Sequence, residues 1–383
     1  MDGLHVAFCL EQAYGHIIPT LGIAMELQRR GHRTSYAVAR SFAPLVERIH
    51  ARAAVINVLE NRERILRATA KPNEGWEFFN VEREVFDRVA VHLCSERTAS
   101  SLAQLEQLFR HDPPDLIIHD DCLDTAGRNL AQKWGIAKIR HHSQFLDWDS
   151  ALCTLEEFES GDVVLVTVPA FFQRDIDRLG PRFHFVGFIP DGRAEVFDPW
   201  TSADASKPIL ISATSGLLPQ LDFSNLMIET FRDGPWPTIL AVPSSHDLVS
   251  AIDRQGLHAL PHHMQMNTSA SNFAILRQAS LFIGQGGQGS TLEAIYHGVP
   301  QVVIPPTPYH NCVGRRVVEL GLGECIPIHE LTAATLIESV RRLFSSSEVA
   351  MRLRRASEDM HQHKGAEVAV DIIEEYLASN THS

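Results

Sequence analysis

The stretch "FIGQGGQGSTLEAIYHGVPQ", Phe282 to Gln301, decides how the rest of the sequence reads. Apolar residues end a strand. Gly284, Gly286, Gly287 and Gly289 then keep side chains off the backbone, and Ser290-Thr291 opens a helical run that Gly298 and Pro300 close. A strand that turns through glycines into a helix N-terminus aims several N–H groups at one point, and the helix dipole adds positive potential there. That is the construction of a phosphate cradle. The same spacing also suits a tight turn that only needs small residues.

Outward from this stretch the chain alternates strand and helix. Before it come the strand "ILISATS", a helix around Phe223 to Arg232 and the strand "PTILAV"; after it come "QVVIP" and the helix "CVGRRVVELGLG". The opening gives the strand "LHVAFCL", the loop "EQAYGH", the helix "IIPTLGIAMELQRRGH" with Pro19 near its start, and the strand "RTSYAVA". An amphipathic helical region from Val81 to Phe109 carries Val85, Val89, Leu93, Leu102 and Leu105 as core-facing positions. "PPDLIIHDD" is a strand whose C-terminal end delivers Asp120 and Asp121, and "TAGRNLAQKWGIAKIR" is a helix followed by a strand.

Such alternation predicts parallel sheets. The expected fold is α/β, with two Rossmann-like doubly wound domains facing each other across a cleft: residues 1–190, a Pro-, Asp- and Ser-rich linker at 191–207, and residues 208–383. The last helix, "EVAVDIIEEYLAS", is able to pack on either domain.

The length of 383 residues exceeds what a single core usually holds, which agrees with two domains. A formal net charge of −13 argues against nucleic acid or an anionic membrane as the main partner, so an anionic ligand would need local dipoles. The six cysteines (Cys9, Cys94, Cys122, Cys153, Cys312 and Cys325) lack CxxC spacing, which indicates neither a zinc site nor a disulfide framework. A reduced, cytoplasmic setting is expected, with no signal peptide and no membrane span. The pairs His141-His142 and His262-His263 look metal-like, but adjacent residues on a strand point to opposite faces, so we read them as loop or surface residues.

Taken together, "YGHIIPTLGIAMELQRRGHRTSYAV", "DPPDLIIHDD", "LAQKWGIAKI", "GGQGSTLEAIYHGVPQVVIP" and "VVELGLGECIP" resemble the inverting, nucleotide-sugar-dependent glycosyltransferases of the macrolide and natural-product group, related to plant UDP-glycosyltransferases, whose fold is GT-B. The resemblance runs over nearly the whole chain. It implies that His16 is the base that deprotonates an acceptor hydroxyl and that Asp120 orients it, with Asp121 second choice. Without the resemblance, the residues favour the plainer reading, His16 packed at a helix start and Asp120 capping the following helix.

The resemblance further implies a donor site at Ser215, Ser269, Asn272, Gln285, Gly286, Gly287, Gly289, Ser290, Thr291, Glu293, His310 and Asn311. Gly289 and Ser290 would hold the diphosphate and Glu293 the ribose. Tyr14, Trp76, Phe79 and Phe86 would contact an apolar acceptor, although aromatic residues there also suit a core. The nucleotide sugar is then a substrate, with no cofactor and no tightly bound metal, and a homodimer is left open. Several donor positions depart from the family. Gln285 stands where histidine is usual, Ser269 where a tryptophan stacks on the base, His310-Asn311 where Asp-Gln grips the sugar, and Thr214 where glycine is common. The expected activity is transfer of a sugar from UDP or dTDP to a hydroxyl of a hydrophobic natural product such as a macrolide or polyketide, with inversion. The alternatives are a non-catalytic helper of a partner enzyme and an enzyme acting on another nucleotide-linked donor.

Overall fold

The computed structural model describes residues 3–57, 98–120, 125–146, 162–190, 206–212, 220–242, 260–268 and 271–380. Their strands are short apolar runs buried end to end, such as "HVAFC" and "LFIG". Strands buried on both faces call for a covering layer on each side, which parallel sheets obtain from their crossover helices. Two such sheets form.

The first contains β1 (His5–Cys9), β2 (Arg33–Ala39), β3 (Arg52–Ile56), β4 (Leu116–His119), β5 (Ala137–His142), β6 (Val164–Val166) and β7 (Phe183–Phe185). Their spatial order is β3-β2-β1-β4-β5-β6-β7, with every pairing parallel. Its helices include α1 (Tyr14–Arg29), α2 (Ala43–Glu47), α3 (98–109) and α4 (Ala126–Trp134). The second sheet is built from β8 (Ile209–Ser212), β9 (Thr238–Ala241), β10 (Met264–Asn267), β11 (Leu281–Gly284), β12 (Gln301–Val303) and β13 (Gly323–Cys325). Its order, β10-β9-β8-β11-β12-β13, is parallel throughout. Around it lie α5 (Gln220–Phe231), α6 (Asn272–Leu276), α7 (Gln288–Tyr296), α8 (Pro308–Glu319), α9 (Ala333–Ser345) and α10 (Ser347–Gln362), followed by α11 (Gly365–Asn380).

The α/β class with two facing parallel-sheet domains is therefore as expected. In each sheet the strand order reverses once, between β1 and β4 and between β8 and β11. At such a reversal the loops leave in opposite directions and open a crevice beyond the strand ends. Both crevices hold residues singled out above.

Two features tie the halves together. Helix α11 leaves the second half of the chain and packs on α1, placing Ala369, Val370, Ile373 and Leu377 in the core that contains β1, β4 and α1. Burying each of its larger aliphatic side chains contributes about 1.5–3 kcal/mol. Arg30, the C-cap of α1, donates to Asp371 at 2.6 Å and to Glu374 at 2.8 Å, while His32 meets Glu374 at 3.0 Å. Nearer the cleft, the Arg316 guanidinium of α8 donates to the carbonyls of Phe172 (2.8 Å), Phe171 (2.8 Å) and Gln173 (3.4 Å) in the first domain.

Helix starts differ from the sequence reading. Helix α1 begins at Tyr14, not after the "EQAYGH" segment, so His16 lies in its first turn and Pro19 is internal. Its N-cap is Ala13, with no side-chain capping bond, so the usual polar start signal is missing. Likewise α8 begins at Pro308, capped by Thr307, which puts His310 and Asn311 in its first turn. The read linker lies almost wholly outside the described residues.

Candidate active site

At the reversal of the first sheet, Asp120 follows the last residue of β4 and faces the first turn of α1. His16 Nδ1 lies 3.0 Å from Asp120 Oδ2, and the two side chains are only 12 % and 6 % exposed. The backbone N–H of Glu11 donates to both Asp120 oxygens, at 3.2 and 3.1 Å. Burial alone would raise the Asp120 pKa. The charge and hydrogen bond of His16, the Glu11 N–H and the nearby His141 outweigh it, so the group titrates below the ordinary carboxylate range. A carboxylate only accepts hydrogen bonds, so the neutral His16 ring carries its proton on Nδ1. The Nε2 lone pair is left on the opposite side of the ring. This is the arrangement of a general base with its orienting acid.

His141 and His142 are not loop or surface residues as read. They form the end of β5 and are 1 % and 9 % exposed. The alternation argument put them on opposite faces correctly, but both faces of this inner strand are covered. Burial holds them neutral, pushing His141 down to about 4 and His142 to about 3. His141 Nε2 lies 3.0 Å from Thr167 Oγ1. The other pair does sit in a turn: His262 is exposed and His263 half-buried.

Two residues after His142, Gln144 places its amide nitrogen 3.4 Å from His16 Nε2. Sequence reasoning passed it over. The usable signal was positional, since the residues just past β5 adjoin the end of β4, where Asp120 sits.

At the reversal of the second sheet, β11 runs into α7 through Gln285, Gly286 and Gly287. Gly286 has φ +78°, and a Cβ there would lie 2.8 Å from the His310 carbonyl oxygen, so only glycine fits. Gly287 caps α7, which starts at Gln288 and not at Ser290 as read, so Gly289 and Ser290 belong to the first turn itself. The amides of that turn have no intrahelical carbonyl to bond. A Cβ on Gly287 or on Gly289 would meet nothing within 4 Å, so both glycines border open space. The cradle geometry is present.

Asn272, at the start of α6, donates from Nδ2 to Ser212 Oγ at 3.0 Å and to Ser290 Oγ at 3.4 Å, uniting β8, α6 and α7 at one point. Ser290 and Glu293 lie one turn apart on one face of α7, both half-buried. Gln285 is buried at the end of β11, and Thr291 is 1 % exposed, so Thr291 offers no surface to a ligand. His310 Nδ1 lies 2.6 Å from the hydroxyl of Thr307, and Asn311 is half-buried beside it. Gln288 is buried next to the cradle, and neither polar atom of its amide has a hydrogen-bond partner among the described residues.

Helices α1 and α7 touch, so the base and the cradle flank one cleft. Tyr14, two residues before His16 in the first turn of α1 and 61 % exposed, packs edge-on against Phe42, ring centroids 5.0 Å apart. Ser215, Ser269, Asp121, Trp76, Phe79 and Phe86 lie outside the described residues. Among the described residues no group of three or more His, Cys, Asp or Glu converges as a metal site, and no helix is long and apolar enough to cross a membrane.

Comparison with known proteins agrees with this geometry. Residues 244–375 match the C-terminal domain family of erythromycin biosynthesis protein CIII-like proteins. The chain is 29 % identical to the NDP-glycosyltransferase YjiC of Bacillus subtilis, over 98 % of both chains. It is also 29 % identical to the demethyllactenocin mycarosyltransferase of Streptomyces fradiae, over 98 % of this chain and 87 % of that one. The calicheamicin glycosyltransferase CalG4 has the same fold, with a TM-score of 0.79 at 24 % identity over 99 % of both chains. The resemblance to natural-product glycosyltransferases of GT-B fold is borne out.

Proposed function

We propose that this chain, a glycosyltransferase of the natural-product type that uses nucleotide-sugar donors, transfers a sugar from UDP or dTDP to a hydroxyl of a hydrophobic macrolide or other polyketide, with inversion. The observation that carries this reading is the pairing of the two strand-order reversals. One presents a base held by a buried carboxylate, the other a glycine-opened helix N-terminus, and α1 and α7 bring them to one cleft.

In the proposed step, His16 Nε2 takes the proton of the acceptor hydroxyl as its oxygen forms a bond to the anomeric carbon. The bond from that carbon to the diphosphate oxygen breaks on the opposite face. Asp120 balances the positive charge that then rests on the His16 ring. The leaving diphosphate gathers negative charge where the first-turn amides of α7 and its dipole point, and this holds it without a tightly bound metal. Ser290 and Asn272 supply the neighbouring polar contacts, and Glu293 accepts from the ribose hydroxyls. The Tyr14–Phe42 lip offers an apolar acceptor its first contact. The reaction is set in the cytoplasm, in keeping with Cys9, Cys312 and Cys325, which are not joined in disulfides.

Calorimetric titration with UDP, dTDP, GDP and ADP, with and without Mg²⁺, tests the donor half. Saturable binding of UDP or dTDP is expected, and binding of none of the four would overturn the reading. His16→Ala tests the acceptor half: transfer falls by roughly 10²–10⁴-fold while nucleotide binding is unchanged and the protein stays folded, with a Tm lowered by the loss of the Asp120 contact. Full activity in that variant would remove His16 from the chemistry.

A further inference from the structure

We propose that Gln144 is a positioning residue for the base: its side-chain amide bonds His16 Nε2, pins the ring opposite Asp120, and keeps the place that the acceptor hydroxyl takes. This rests on His16 being the general base.

Three observations carry it. First, the ring is contacted at both nitrogens, by Asp120 at Nδ1 (3.0 Å) and by the Gln144 amide nitrogen at Nε2 (3.4 Å). Because the carboxylate puts the ring proton on Nδ1, the neutral Nε2 must accept, and an amide N–H is the donor that meets it. A length of 3.4 Å is at the outer limit of a hydrogen bond, so a substrate hydroxyl approaching to the usual 2.7–3.0 Å displaces it readily.

Second, an amide suits the ring in both charge states. It donates to the neutral ring through nitrogen and, turned over, accepts from the protonated ring through oxygen. A carboxylate at this position would favour only the protonated base, and an ammonium only the neutral one.

Third, the backbone that carries Gln144 is braced. The Gln173 side chain accepts from the N–H of Leu146 at 3.1 Å and donates to the Leu146 carbonyl at 2.7 Å. Phe145 packs edge-on against Phe172 at 5.7 Å. Arg316 then holds the carbonyls of Phe171, Phe172 and Gln173 from α8, the helix that bears His310 and Asn311. A short path of hydrogen bonds thus runs from the donor side of the cleft to the residue touching the base.

The titratable groups around His16 include Asp120 from the end of β4, Glu11 before α1, and His141 and His142 on β5 with Arg140 beside them; helix α7, which touches α1, carries Glu293. Burial keeps His141 and His142 uncharged at neutral pH, so their titration does not overlap a reading of His16 there.

The test is NMR of the full chain with ¹⁵N- and ¹³C-labelled histidine, without substrates, for wild type, Gln144→Glu and the near-isosteric Gln144→Met. In the wild type His16 is expected as the Nδ1–H tautomer with Nε2 hydrogen-bonded. Gln144→Glu should move the His16 titration upward by about one pH unit or more, and the acid limb of kcat/KM with it. Gln144→Met should lose the Nε2 hydrogen-bond signature and lower kcat/KM roughly 10-fold, with donor Kd and Tm unchanged. A His16 titration left unmoved by Gln144→Glu, or an Nε2 signal left unchanged by Gln144→Met, overturns the proposal. Because this readout needs no turnover, it fails or holds separately from His16→Ala, which tests the base itself.

Discussion

Replacing Asp120 with asparagine separates the role of charge at this position from the role of shape. The donors to this carboxylate include the Glu11 N–H, shared between its oxygens, and His16 Nδ1–H. Asparagine keeps one oxygen, and the Glu11 N–H already leans on each of the two, so it retains a partner. The amide nitrogen then faces His16 Nδ1, which must become an acceptor, and the ring moves its proton to Nε2. The variant folds, but the lone pair that should meet the acceptor hydroxyl is gone. A tautomer error of this kind lowers kcat by about 10⁴-fold in a related base–orienter pair, and a loss of about 10³–10⁴-fold is expected here.

The stability change is smaller. Exchanging one charge-assisted hydrogen bond for a neutral one removes about 1–1.5 kcal/mol. Because the folded pKa of Asp120 is lowered, its stabilising contribution is complete above the ordinary carboxylate value of about 3.9 and is lost as pH falls through the folded value. The gap in unfolding free energy between wild type and Asp120→Asn should therefore narrow in acid. Product formation by mass spectrometry, donor affinity by calorimetry and urea unfolding at several pH values read the three parts independently. A folded Asp120→Asn protein with more than about a tenth of the wild-type kcat/KM would refute the argument, because the tautomer would not depend on Asp120.

Two glycines of the cradle should respond in opposite ways. Gly289→Ala places a methyl in open space on a helical backbone, so Tm holds or rises while donor KM increases; unchanged KM would mean the donor does not approach there. Gly286→Ala forces an L side chain to φ +78° against the His310 carbonyl, and unfolding free energy should fall by about 1–3 kcal/mol. His141 and His142 are held neutral down to about 4 and 3, below the unfolded value of about 6.5, so they stabilise the fold at neutral pH and progressively less as pH falls through that interval. Each adds up to about 1.4 kcal/mol per pH unit to the slope, and His142→Asn should reduce the slope of unfolding free energy between pH 6 and about 4.5 by nearly one proton's worth.

What the sequence disclosed follows from which interactions are local. Buried parallel strands announce themselves as unbroken apolar runs, so "HVAFC", "LIIH" and "LFIG" were readable, whereas the order in which they pair rests on distant contacts. The start of α1 was not, because Ala13 caps it without the polar side chain that marks most helix starts. His141 and His142 were misplaced because strand alternation tells which face a side chain takes but not whether that face is covered. Gln144 was missed because its partner lies 128 residues away, and the signal it does carry, its place just past β5, appears only once β5 is known to lie beside β4.

The way α11 returns to the first domain bears on how the chain is made. The core around β1, β4 and α1 is short of Ala369, Val370, Ile373 and Leu377 until residues 365–380 leave the ribosome. At about 5–20 residues per second, everything from β8 to α10 is synthesised while that apolar seam stays uncovered, an interval on the order of 10 s or more. The domain that carries the base is begun first but completed after the donor domain has been made.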